Sequence, residues 1–188
     1  MILRNPSSVF VLDEAYIELS FSAETAIPLL AKYSNLIIVR SFTKAFSIPG
    51  LRLGFVLSSM ELANKIKSLV LPWNVNTMAI AAGTYIIENY NNLLPDKNCI
   101  KEESVKLQKE LGFINSLKVI PSDCNFFLVQ SLNKPAKKLK DFLIKEYGIL
   151  IRDASNFYGL DKSYFRIAIQ KPELHCLLVD GIKHWTQI

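Results

Sequence analysis

Ser41-Phe42-Thr43-Lys44-Ala45-Phe46-Ser47-Ile48-Pro49-Gly50-Leu51-Arg52-Leu53-Gly54 follows directly on the apolar run Leu36-Ile37-Ile38-Val39. A short, continuous, β-branched run of this kind predicts a strand buried on both faces. The strand delivers two hydroxyls, a lone lysine, a Pro-Gly turn and, eight residues after the lysine, an arginine. An amine in that setting suits an aldehyde that carries a phosphate. The amine condenses with the carbonyl, while the hydroxyls and the guanidinium fork suit phosphate oxygens.

Upstream, a second apolar run at residues 9–12 ends in Asp13-Glu14-Ala15-Tyr16. It too predicts a strand buried on both faces, and in open α/β sheets ligands gather beyond the carboxyl ends of strands. A carboxylate placed there can hold a pyridine nitrogen protonated and so strengthen the ring's pull on electrons.

Together the two stretches resemble the pyridoxal-phosphate site of the fold-type I aminotransferases, within the branch of histidinol-phosphate aminotransferase and threonine-phosphate decarboxylase. The resemblance implies that Lys44 is the Schiff-base lysine and Asp13 the partner of the pyridinium nitrogen. It implies that Tyr16 bonds the cofactor's phenolic oxygen and that Ser41, Thr43 and Arg52 hold its phosphate. Pro72-Trp73-Asn74-Val75-Asn76 is similar to a family segment near the active site and dimer interface. Enzymes of this family are far longer and act as homodimers. The expectation is therefore a C-terminal part: a partial large pyridoxal-phosphate domain with a mostly parallel sheet, followed by a small α/β domain.

Each reading has a plainer rival. Lys44 could be an ordinary surface lysine, Asp13 a turn residue, Tyr16 packing, and Ser41 and Thr43 caps of local backbone. Their shared order and spacing favour the cofactor reading.

A polar, proline-containing stretch at residues 91–97 marks the boundary, giving domains 1–92 and 93–188. Before it, the pattern predicts a short or kinked helix over residues 23–33, broken by Pro28, and a third strand over 53–57. A Ser58/Glu61 capping box opens a helix to residue 71 with Leu62, Ile66, Leu69 and Val70 buried. A further helix over 77–90 buries Ala79, Ala82 and Ile86. Beyond it come a helix over 98–111, strands at 117–120 and 125–130, and a helix bounded by Pro135 and Gly148. Strands at 149–152 and 164–169 precede a last amphipathic helix from Pro172.

Two arginines of the second half, Arg152 and Arg166, fall at predicted strands, and arginine suits two-pronged capture of carboxylate or phosphate. By resemblance Arg166 grips the substrate's anionic group and Arg152 is a second clamp. The stretch around them leans toward threonine-phosphate decarboxylase, with histidinol-phosphate transamination as the alternative and a non-catalytic remnant as a third. The implied substrate is a small phosphorylated amino compound.

Composition narrows the classes further. Half of the 188 residues are hydrophobic, 21% are charged and the net charge is +5. That balance argues against disorder, and no basic run interleaved with aromatics supports a nucleic-acid partner. No apolar stretch approaches the ~20 residues of a membrane span. Cys99, Cys124 and Cys176 share no metal or redox spacing and suit a cytoplasmic setting. His175, Cys176 and His184 read as decoration of the last helix, since no metal-binding motif accompanies them. The uncovered large-domain sheet predicts exposed apolar surface and association.

Overall fold

The computed structural model describes residues 2–187. The chain divides into two compact units, Met1–Asp96 and Lys97–Ile188.

In the first unit β1 (Phe10–Asp13) pairs in parallel with β2 (Leu36–Ser41), which pairs antiparallel with β3 (Gly54–Ser58). The expected mostly parallel sheet is thus one parallel and one antiparallel pairing among the described residues. The connection from Ser41 to Gly54 carries the lysine loop and no α-helix, only the 3-10 turn Pro49–Leu51, so it returns the chain beside β2 instead of crossing over. Gly54 is required there: a Cβ would lie 2.7 Å from the Arg40 carbonyl oxygen.

β2 buries Leu36, Ile38 and Arg40 on one face. β1 is different. Val11 is 60% exposed, and Val9 and Leu12 are exposed as well. The expected burial on both faces fails because β1 is an edge strand with a single neighbour. The helix expected over residues 23–33 shrinks to a 3-10 turn, Ile27–Ala31. Pro28 lacks an N–H, and the Thr25 hydroxyl and Ala26 N–H just before it are drawn to the Glu14 carboxylate.

Helix α1 (Met60–Leu69) is capped at Ser59, and the Ser58/Glu61 capping box does not form. The Ser58 hydroxyl donates to the Ser59 carbonyl, the Ser59 hydroxyl to Ser34, and Glu61 pairs with Lys65. Leu62 and Ile66 are half-buried, but Leu69 and Val70 are exposed, so the expected buried stripe is only partly covered. Helix α2 (Thr77–Glu88) has a made cap, the Asn76 side chain accepting from the Ala79 N–H at 2.9 Å. It buries Ala79, Gly83 and Ile86, while Ala82 is half-buried. A Cβ at Gly83 would lie 2.8 Å from Leu53, so a small residue lets α2 close on the lysine loop. A helical turn, α3 (Tyr90–Leu93), follows, and the change of unit falls at Asp96 and Lys97.

The second unit runs α4 (Lys97–Gly112), β4 (Leu117–Ile120), β5 (Phe126–Ser131), α5 (Ala136–Tyr147), β6 (Arg152–Asp153), β7 (Tyr164–Ala168) and α6 (Pro172–Gln187). Its sheet is antiparallel in the order β4-β5-β7-β6. Phe127, Val129, Phe165 and Ile167 point from the sheet into one core with Leu107, Leu111, Leu139, Leu143, Leu178 and Ile182. Gly148 ends α5 in the left-handed conformation (φ 66°), and the next N–H, of Ile149, donates to the Leu143 carbonyl. That bond closes the helix and keeps Ile149 out of the sheet; of the strand expected over 149–152 only Arg152 is in β6, which continues to Asp153.

His175 departs from the surface role expected of it. It is buried, its Nε2 accepts from the Gln170 N–H at 2.8 Å, and its Nδ1 lies 3.2 Å from Glu103. With Nε2 accepting, the ring's proton sits on Nδ1 and points to the carboxylate. His184 is exposed, packed edge-on to Phe142, with Nδ1 3.0 Å from the Tyr147 hydroxyl.

Two outcomes follow from this packing. Gly54→Ala forces a side chain against backbone and is expected to cost about 1–3 kcal/mol in urea unfolding. The uncovered apolar β1 is expected to drive concentration-dependent association in sedimentation, reduced in Val11→Lys.

Candidate active site

The carboxyl ends of β1 and β2 lie side by side because Asp13 is the register partner of Val39, and the Glu14 N–H donates to the Val39 carbonyl. Ser41 follows two residues later. On its other side Ser41 is the register partner of Gly54, and the Phe42 N–H donates to the Leu53 carbonyl at 3.2 Å, which returns Arg52 to the same end. Asp13, Tyr16, Ser41, Thr43, Lys44 and Arg52 therefore gather at one end of the three-stranded sheet. Lys44 is exposed, and its Nζ lies 5.6 Å from the centre of the Tyr16 ring.

Local bonds shape each arm. Asp13 Oδ1 accepts from the Ala15 N–H at 2.9 Å, turning the chain toward Tyr16. The Ser41 hydroxyl accepts from the Thr43 N–H at 3.2 Å, the backbone-capping role that competed with phosphate binding. One guanidinium N–H of Arg52 donates to the Pro49 carbonyl, leaving most of its five donors uncommitted. Phe42 is buried beneath the loop, its ring against Phe46 and Phe55 at 5.6 and 5.1 Å. Ser47 and Arg52 both sit in the left-handed region (φ 54°), at either end of the Pro49–Leu51 turn. A side chain there costs on the order of 1 kcal/mol, and such strain collects at functional sites.

Behind the loop lies a buried charge cluster that sequence reading missed. Arg40, 6% exposed, donates from Nε to Glu14 (2.9 Å), from Nη1 to Glu18 (2.5 Å) and from Nη2 to the Thr25 hydroxyl (2.8 Å). The Tyr90 hydroxyl donates to the same Glu18 oxygen at 2.7 Å, while the other Glu18 oxygen is buried with no partner. The available signal was a charge at the buried-face position of the Leu36, Ile38, Arg40 alternation. Burial, then the hydrogen bond to Glu18, pushes the Tyr90 phenol up to about 12.

In the second unit Arg152 and Arg166 are directly opposed register partners on β6 and β7. Arg166 lies over the Phe126 ring at 4.8 Å, and exposed Arg152 reaches Asn156 at 3.4 Å. Like charges facing across a ladder repel, so the pair favours an anion between them. Among the described residues no group of three or more His, Cys, Asp or Glu is placed to hold a metal ion. Among the described residues no helix is long and apolar enough to cross a membrane.

This architecture is that of part of the fold-type I pyridoxal-phosphate enzymes. All of the chain superposes on 57% of the L-threonine-O-3-phosphate decarboxylase of Porphyromonas gingivalis, with a TM-score of 0.94 and 30% identity. The chain belongs to the aminotransferase class I and II family, whose profile matches residues 2–178. It is 33% identical over 92% of its length to a provisionally named threonine-phosphate decarboxylase of Caldanaerobacter subterraneus subsp. tengcongensis, covering 47% of that protein. It is likewise 33% identical, over 97% of its length, to a histidinol-phosphate aminotransferase of the same organism, covering 50% of it. The chain spans about half the length of the curated relatives it matches.

The raised Tyr90 value sets a pH dependence. Folding holds the phenolic proton more tightly than the unfolded chain does, where it leaves near 10.0. The resulting stability is complete below that pH and is lost as pH rises toward about 12. Urea unfolding across that window is expected to show a decline that is shallower in Tyr90→Phe.

Proposed function

We propose that the chain carries the covalent and phosphate-binding half of a pyridoxal-phosphate site acting on a small phosphorylated amino compound, most like threonine-phosphate decarboxylase. The observation that carries this reading is the meeting of Lys44 with Asp13, Tyr16, Ser41 and Arg52 at the ends of adjacent strands.

The donor set fits the cofactor. Lys44 is an exposed primary amine, Arg52 keeps unused N–H groups, and Asp13 ends a strand parallel to the one that feeds the lysine. When bound, pyridoxal phosphate supplies a carbonyl for amines and a ring that withdraws electrons from the substrate's α-carbon. Lys44 would be the attachment point and could carry a proton at that carbon. Asp13 would hold the ring nitrogen protonated, and Tyr16 would donate to the phenolic oxygen. Ser41, Thr43 and Arg52 would hold the phosphate. Arg152 and Arg166, opposed across their strands, hold the substrate's anionic group.

Which bond breaks depends on what the two arginines hold. A grip on the side-chain phosphate frees the carboxylate to leave as carbon dioxide; a grip on the carboxylate keeps it and exposes the α-hydrogen. Decarboxylation is favoured by the 0.94 TM-score and by the 33% identity to the Caldanaerobacter protein. A histidinol-phosphate aminotransferase-like reaction is the second reading, supported by equal identity to that relative. A non-catalytic remnant of such an enzyme is the third reading. In line with the family, the active form is a homodimer in the cytoplasm, with neither nucleic acid nor membrane as partner.

Borohydride reduction of the chain with pyridoxal phosphate, followed by peptide mass mapping, is expected to place the label on Lys44 and to lose it in Lys44→Ala. Label spread over surface lysines, unchanged in Lys44→Ala, overturns the reading. Carbon dioxide release from phosphothreonine, against oxo-product formation from histidinol phosphate, decides the branch.

A further inference from the structure

We propose that Arg40 is the positioning residue of this site: its buried fork sets the Asp13–Tyr16 arm against the Ser41–Lys44 arm. The proposal rests on the cofactor reading above for its purpose, but on geometry for its mechanism.

Three hydrogen bonds within the arms are local: Asp13 to Ala15, Ser41 to Thr43 and Arg52 to Pro49 each span two or three residues. At the exposed end the Lys44 amine lies 5.6 Å from the centre of the Tyr16 ring. The β1–β2 ladder fixes the two strands only as far as the Glu14 N–H on Val39, after which both chains leave the sheet. From there Arg40, which adjoins Ser41 in sequence, bonds across to the other arm. It holds Glu14, the neighbour of Asp13, and Glu18, two residues beyond Tyr16. The Thr25 hydroxyl joins Arg40 on Glu14 Oε2 at 2.9 Å, and the Ala26 N–H holds Oε1 at 2.6 Å. Tyr90 closes the circuit. Its hydroxyl holds Glu18, and its ring packs at 5.6 Å on Phe46, two residues beyond Lys44. A planar fork with three directed donors can hold three groups in fixed geometry; an ammonium, a point charge, cannot.

Arg40→Lys keeps the charge and removes the fork, and it is tested twice. In the cofactor-free chain, hydrogen exchange is expected to rise together in residues 13–20 and 41–47 while residues 37–39 keep their protection. In the presence of pyridoxal phosphate, borohydride labelling of Lys44 is expected to need about tenfold more cofactor, at a temperature where circular dichroism matches the parent chain. Arg40→Met serves as the charge-free control and is expected to lose at least as much in both measurements.

Exchange that rises uniformly, or in one arm alone, overturns the proposal, since that is what a purely structural ion pair gives. Selective exchange with undiminished labelling in Arg40→Lys also overturns it, because the arms are then coupled without serving the site. If the parent chain takes no label at Lys44, the cofactor reading fails instead, and the exchange data alone decide whether Arg40 couples the arms.

Discussion

A guanidinium shut away from water between two carboxylates governs the first unit. Arg40 holds Glu14 and Glu18 at once, and both acids belong to the segment that follows β1. Removing one partner of such a pair costs about 3–5 kcal/mol, because the charge left behind stays buried and unpaired. Here the deficit is compounded, since one cation serves two anions and a Glu18 oxygen already lacks a partner. The cluster is better understood as a device that fixes geometry than as a source of stability. A well-packed apolar trio could stabilise the same space but could not orient three segments.

The aromatic layer repeats the logic in apolar form. Phe42 sits under the lysine loop, Phe46 and Phe55 lean on it, and Tyr90 joins this stack to the charge cluster through its hydroxyl. Gly54 and Gly83 permit the closeness on either side, one against the backbone of β2 and one against Leu53. The lysine itself stands exposed above this base. The order of its loop is supplied from beneath.

What could be read in the sequence was what depends on near neighbours. The lysine loop, the strands at 117–120 and 126–131, and the helix ended by Gly148 all carry their signals within a few residues. What could not be read was burial, which depends on what lies opposite. Val11 and Leu69 have the pattern of core residues, yet both are exposed, since no neighbour covers them. His175 has the look of a surface residue and is buried, with Glu103, 72 positions away, at hydrogen-bond distance from its ring. Arg40 failed for the same reason: its partners lie 22 and 26 residues upstream. Serine at 58 with glutamate at 61 fitted a cap, but nearer acceptors and Lys65 took both side chains.

Ser47 and Arg52 bear on how this chain could change. Both hold a backbone conformation that glycine adopts freely and that other residues adopt at a cost. Glycine at position 47 would relieve that cost in the folded chain while giving the unfolded chain more freedom to lose. It would also loosen the turn that leads to Arg52. Easing the backbone at this position therefore comes with a less fixed direction for the arginine that follows.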